Sequence, residues 1–172
     1  MAKKKSGLNL GKILYAVAAV LGLVAVVMLF VEAVKVADVE TVLGTVESEV
    51  GYTGLQVAFG TSEKDVAVLG FSFMALLPVV LVLAGVVLSV LQAVAKKSSK
   101  VLDFVVVACF VVAGVLYFIM PSFMVYADTL LGIAAEKTAE TVGYVLATGS
   151  IVAAICSILA GATVLVKNLL KK

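Results

Sequence analysis

The sequence predicts an all-α membrane fold: a bundle of four transmembrane helices with both ends cytoplasmic and a small extracytoplasmic cap containing short β-strands. Three observations carry this reading. First, 63% of the 172 residues are hydrophobic and 14% are charged, against about 45–50% and about 25% in soluble domains. The mean hydropathy is +1.24, and a water-soluble chain of this composition would be left with a surface of Val, Leu, Ala and Ile. Second, the apolar residues fall into four runs, each long enough to cross a hydrocarbon core of about 30 Å. Third, the charges are sorted by sign along the chain.

The basic start MAKKKSGLNLGK leads into the first span, about residues 13–34. A basic start before an apolar run also describes a signal peptide, but this run exceeds the usual h-region of roughly 7–15 residues. The second run, about 66–95, is longer than a bilayer requires and carries Pro78 near its middle, which predicts a bend. Ser62, Glu63, Lys64 and Asp65 precede it with the pattern of a capping box, so the helix is expected to begin there. The third run, about 101–126, has Pro121 near its far end, and the fourth covers about 142–166. Two connections remain, about 37–65 and 127–141, within a single domain spanning 1–172. In the first, Thr41–Val46 and Tyr52–Phe59 are rich in β-branched and aromatic residues bounded by Gly, which predicts two short strands. The second reads as helical.

Orientation follows from the lysines. Lys3, Lys4, Lys5, Lys12, Lys96, Lys97, Lys100, Lys167, Lys171 and Lys172 occupy the start, the middle turn and the end, whereas most carboxylates lie in the other two connections. By the positive-inside rule the lysine side is cytoplasmic, in a cell membrane.

The chain contains no His, no Trp and no Arg. It therefore lacks the commonest general base and metal ligand and the residue that reads phosphates and bases by two-pronged hydrogen bonds. The expectation is no catalytic residue, no cofactor and no metal, so the protein is read as a non-enzyme, and nucleic acid is not expected as a partner. Cys109 and Cys156 sit inside apolar runs without a CxxC pattern, at a similar depth. Asp103, in the first turn of the third run beside Lys100, reads as compensation of the helix dipole.

Gly149, Ala153, Ser157 and Gly161 recur every fourth residue, and Ala18 with Gly22 makes a shorter version in the first span. Small residues at this spacing let another helix approach closely, within the chain or in a homo-oligomer. Lys12–Tyr15 aligns with Lys100–Asp103, and Leu83–Gly85 with Leu159–Gly161, the trace of a duplicated helical hairpin. Aromatic residues concentrate toward the outer half, and Tyr52, Leu55, Gln56 and Phe59 are the candidate outer-surface interaction residues, because loops on a rigid scaffold commonly carry function.

Four spans, cytoplasmic ends, a longer first outer loop with strands and a shorter second loop resemble the layout of the claudin-type tetraspan proteins. That resemblance implies a helical bundle under an extracytoplasmic cap; the Trp-containing motif and loop cysteine pair of those families have no counterpart here. The segment Gly51–Gly60, with Phe71-Ser72-Phe73-Met74 and the Lys-flanked final span, is also similar to small bacterial four-span membrane proteins of uncharacterised activity. The expected role is that of a structural, accessory or interaction protein in the lipid bilayer, acting through its outer loops or as a subunit of a membrane complex. The alternative is an oligomeric channel or small transporter, with Ser72, Ser89, Ser150, Ser157 and Thr148 as lining.

Overall fold

The computed structural model describes residues 10–37, 39–41, 44–46, 50–63, 65–95 and 99–170. Helix α1 (Leu10–Val27) runs through a 3-10 turn (Met28–Phe30) into strand β1 (Glu32–Val36). Strands β2 (Val39–Thr41) and β3 (Gly44–Val46) form a small hairpin, and β4 (Gly51–Thr53) passes directly into the short helix α2 (Gly54–Phe59). A second hairpin, β5 (Thr61–Glu63) and β6 (Val66–Leu69), precedes α3 (Phe73–Val94). Then come α4 (Lys100–Phe118), a 3-10 turn (Met120–Phe123), α5 (Leu130–Thr141), β7 (Tyr144–Leu146) and α6 (Thr148–Leu169).

Among the described residues, four helical segments are long and apolar enough to cross a membrane: Leu10–Phe30, Phe73–Val94, Lys100–Phe118 and Thr148–Leu169, of 19 to 22 residues each. At about 1.5 Å per residue they match a core of about 30 Å. They are the frame of a multi-pass membrane protein. Around the bundle α1 neighbours α3 and α6, and α4 neighbours the same two, so chain order and spatial order coincide in an up-and-down arrangement.

The apolar runs overshoot these helices at the end opposite the lysines, and the cause is the sheet. Strand β1 is the centre of an antiparallel sheet ordered β4-β1-β7, with Val34 opposite both Tyr52 and Leu146. Its Ala33, Val34 and Val36 are buried, so the run 13–34 stays apolar after the helix has ended. Short apolar runs of this kind look alike as buried helix or buried strand. The same confusion moves the second span, whose helix starts at Phe73 and not at Val66, because Val66–Leu69 pairs with Thr61–Glu63. The predicted capping box at Ser62–Asp65 is instead the tip of that hairpin: Asp65 takes φ 65°, and Lys64 lies outside the described residues. The true cap is Ser72, whose hydroxyl accepts from the Ala75 N–H at 3.3 Å. Likewise α4 stops at Phe118, and α6 begins at Thr148 after the strand Tyr144–Leu146.

The expected strand Tyr52–Phe59 is a strand for two residues only. Thr53 and Gln56 then build a reciprocal capping box, Thr53 N–H donating to Gln56 Oε1 at 2.8 Å and Gln56 N–H to Thr53 Oγ1 at 3.3 Å, which starts α2 at Gly54. Within Thr41–Val46 the described residues form the β2–β3 hairpin, and residues 42 and 43 lie outside the description.

Buried residues recur at a seven-residue spacing on all four spans: Tyr15, Gly22 and Leu29; Pro78, Gly85 and Gln92; Asp103, Phe110 and Tyr117; Ala153, Ala160 and Lys167. This heptad period is the signature of helices packed at a shallow left-handed crossing. It sorts the interior into three layers. In the middle one the Phe110 ring fills the axis, and a Cβ on Gly22 or Gly85 would lie 2.8 Å or 3.0 Å from it, one on Gly161 3.4 Å from the Phe110 Cβ. Gly22 of α1 and Gly85 of α3 make room for that ring, while Gly161 lets α6 approach the Phe110 Cβ and the Val107 carbonyl.

Candidate functional site

The layer nearest the lysine-rich end is polar, and each span supplies one member of it. Asp103 is fully buried and Lys167 is 4% exposed. Lys167 Nζ donates to Asp103 Oδ2 at 2.5 Å and to the Tyr15 hydroxyl at 2.5 Å. Tyr15 in turn donates to Asp103 Oδ1, which also accepts from Gln92 Nε2 at 3.2 Å. The ammonium lies 4.7 Å from the centre of the Tyr15 ring, close enough for a cation–π attraction. Gln92 uses the rest of its amide on the turn between α3 and α4, donating to Ser99 O at 2.9 Å and accepting from Ser99 N–H at 3.3 Å. One side chain thus fixes both the turn and the carboxylate.

Electrostatics decide what this clasp can do. A carboxylate in a dry interior is costly unless both oxygens are satisfied by donors and its charge is matched. Here the two oxygens receive three donors, one of them cationic, so the cluster is a closed circuit. Each of the four spans contributes one side chain to it, so the cluster fastens the helices to one another.

Asp103 stands in the first turn of α4, where the sequence reading puts it, but its carboxylate is buried and paired with Lys167, and Lys167 is buried with it and does not simply flank the membrane with the other lysines. The signal was present in α6. Continuing the small-residue ridge by three or four residues from Gly161 gives Val164 and then Lys167, all buried. On α4 the same reasoning from Phe110 back by seven reaches Asp103.

The ridge residues Gly149, Ala153, Ser157 and Gly161, with Ala18 and Gly22, are buried inside the chain. A Cβ on Gly149 would lie 2.6 Å from Glu32 O and 2.9 Å from Val31 O, so α6 passes hard against the start of β1. Ser89, Ser150 and Ser157 are buried with unpartnered hydroxyls, and so is Tyr117. Tyr117 and Ser150 border a narrow gap under the sheet with Leu29 and Ala153, too tight for a water molecule. Cys109 and Cys156 are free and half-buried.

At the other end, the four candidate surface residues separate. Tyr52 lies 6.0 Å from the Tyr144 ring, and Tyr144 lies 6.5 Å from Tyr126, a tyrosine trio joining β4, β7 and the segment after α4. Burial raises the Tyr144 hydroxyl well above its ordinary value, Tyr52 and Tyr126 adding to it, and burial also raises Tyr126, helped by Tyr52 and Glu136. Leu55 packs against the core, and Gln56 is spent on the α2 cap. Only Phe59 is exposed, beside Phe71 at 6.3 Å.

Comparison with family models, with curated proteins and with solved structures found no match to this chain.

Proposed function

We infer that this is a structural or interaction protein of the membrane: a rigid four-helix anchor that holds a folded cap on one face of the bilayer and works through that cap or as a subunit of a membrane complex. The supporting observation is the Phe110 layer. An aromatic ring seated against Gly22 and Gly85, with Gly161 beside its Cβ, closes the axis of the single chain, and the serines that could line a channel are turned into that same packed interior. The lipid-facing surfaces carry Val, Leu, Ile and Phe instead. The clasp consumes both buried charges, whereas ion-coupled carriers keep an ionisable group at mid-membrane facing a pathway.

In this reading the lysine-rich end is cytoplasmic and the sheet, with α2 and α5, stands outside, as in the claudin-type layout. The experiment has two arms. In sealed proteoliposomes the purified chain is expected to give no ion or small-solute flux above empty vesicles; flux that scales with protein would reject the anchor reading in favour of the oligomeric channel. A cysteine placed at Ser62 in a chain lacking Cys109 and Cys156 is expected to react with an impermeant maleimide on intact cells, and reaction only after permeabilisation would invert the orientation.

A further inference from the structure

The cap sorts its aromatic residues by chemistry. The half-buried tyrosines Tyr52, Tyr126 and Tyr144 gather against one another. Phenylalanines, which have no polar tip, stand outward at its base: Phe30, Phe59, Phe71 and Phe73 are 69%, 59%, 56% and 65% exposed, and Met74 is 57% exposed. Water is a poor surrounding for such a cluster, and an exposed apolar patch of this kind marks a contact surface.

Helix lengths fix its level. From Leu10 the first span counts 21 residues to Phe30, and from Val94 the second counts 22 back to Phe73. At about 1.5 Å per residue each traverses about 30 Å, so Phe30 and Phe73 both arrive at the far hydrocarbon boundary. Helix α2 packs against the Met28–Phe30 turn and the start of α3. The Ser72 N–H donates to Ala58 O at 2.9 Å, which sets Phe59 and Phe71 side by side at this level. Below them the exposed Val27, Val80 and Leu83 continue the same apolar surface down the lipid-facing sides of α1 and α3.

We propose that α2 and the Gly70–Met74 segment seat the cap in the bilayer leaflet beneath it, with Phe59 and Phe71 inserted at the ester and upper acyl level of the lipids. The Phe59 face is thereby a lipid contact, and the surface left for a protein partner is the far side of the cap, including α5. This rests on the four helices spanning a membrane and is independent of whether the cap recruits a partner.

The absence of Trp from the chain supplies the test. Phe59→Trp and Phe71→Trp each create a single fluorescent reporter, and Leu130→Trp on α5, where Leu130 is 87% exposed, is the control. The proteins are reconstituted in phosphatidylcholine vesicles with and without lipid brominated high on the acyl chain, and helix content is checked by circular dichroism. Both reporters are expected to emit at shorter wavelength than the control, to be quenched several-fold more by the brominated lipid, and to be quenched several-fold less by iodide. Iodide quenching equal to that of Leu130→Trp, with no response to brominated lipid, overturns the proposal. A split between the two reporters does so as well, because rings 6.3 Å apart share one environment. Capture of a partner protein by the cap would leave these readings unchanged, so the failure of either inference is visible separately.

Discussion

At the scale of single residues, the buried charges make the sharpest prediction. Removing one member of a buried, hydrogen-bonded ion pair leaves the other uncompensated and costs about 3–5 kcal/mol, whereas replacing both with apolar side chains of similar size is close to neutral. Asp103→Leu or Lys167→Met alone is therefore expected to destabilise the bundle by about that amount, and the double variant to recover most of it. Denaturation in mixed detergent micelles followed by circular dichroism gives the cycle, and strictly additive losses would mean that the pair is not coupled. Tyr117 makes the opposite case. Its buried hydroxyl has no partner, and such a group costs about 1–3 kcal/mol, so Tyr117→Phe is expected to raise the melting temperature. Neither role could be read from residue type. A lysine next to a membrane end has an ordinary explanation, and only its position on the packing stripe distinguishes Lys167 from its neighbours in the tail.

At the scale of elements, the glycines and caps decide. Gly149 lies under three carbonyl oxygens, those of Glu32, Val31 and Met28, and backbone has nowhere to move. Gly149→Leu is expected to separate α6 from β1 and lower stability by several kcal/mol, measured in the same denaturation assay. Gly143 sits at φ 87° with open space around it, so Gly143→Ala should cost only the left-handed backbone strain of about 1–2 kcal/mol. Tyr126 and Tyr144, both raised by burial, tie the cap to pH. A hydroxyl whose proton is held more tightly in the fold contributes stability that is complete below the unfolded tyrosine value of about 10 and is lost as the pH climbs above it. Near-ultraviolet circular dichroism of the cap is expected to hold to that point and then collapse earlier than the helical signal. The four helices are legible in the sequence because each is an apolar run long enough to cross a bilayer. Strands β1, β6 and β7 are not, because a buried strand adjoining a buried helix offers no break in hydropathy, and α2 is not, because a six-residue helix is made by its cap and not by a period.

At the scale of the molecule, three interior layers recur on all four spans: a polar one, an aromatic one flanked by Gly22 and Gly85, and one beneath the sheet. Tyr15 and Asp103, which the alignment of Lys12–Tyr15 with Lys100–Asp103 puts at corresponding positions, meet in the polar layer. The close-packing ridge is legible in the spacing of Gly149, Ala153, Ser157 and Gly161; the layers are not, since they depend on which helix faces which.

The sheet also imposes an order on assembly. Strand β1 meets β4 soon after it is made, but its other edge and the Asp103 carboxylate both wait for β7 and Lys167, which are made only after the first three spans. Until α6 is in place, the first three spans have an open sheet edge at β1 and an Asp103 carboxylate without its Lys167 partner. Nascent chains stopped before Tyr144 should be the form that insertases and quality-control proteases hold longest.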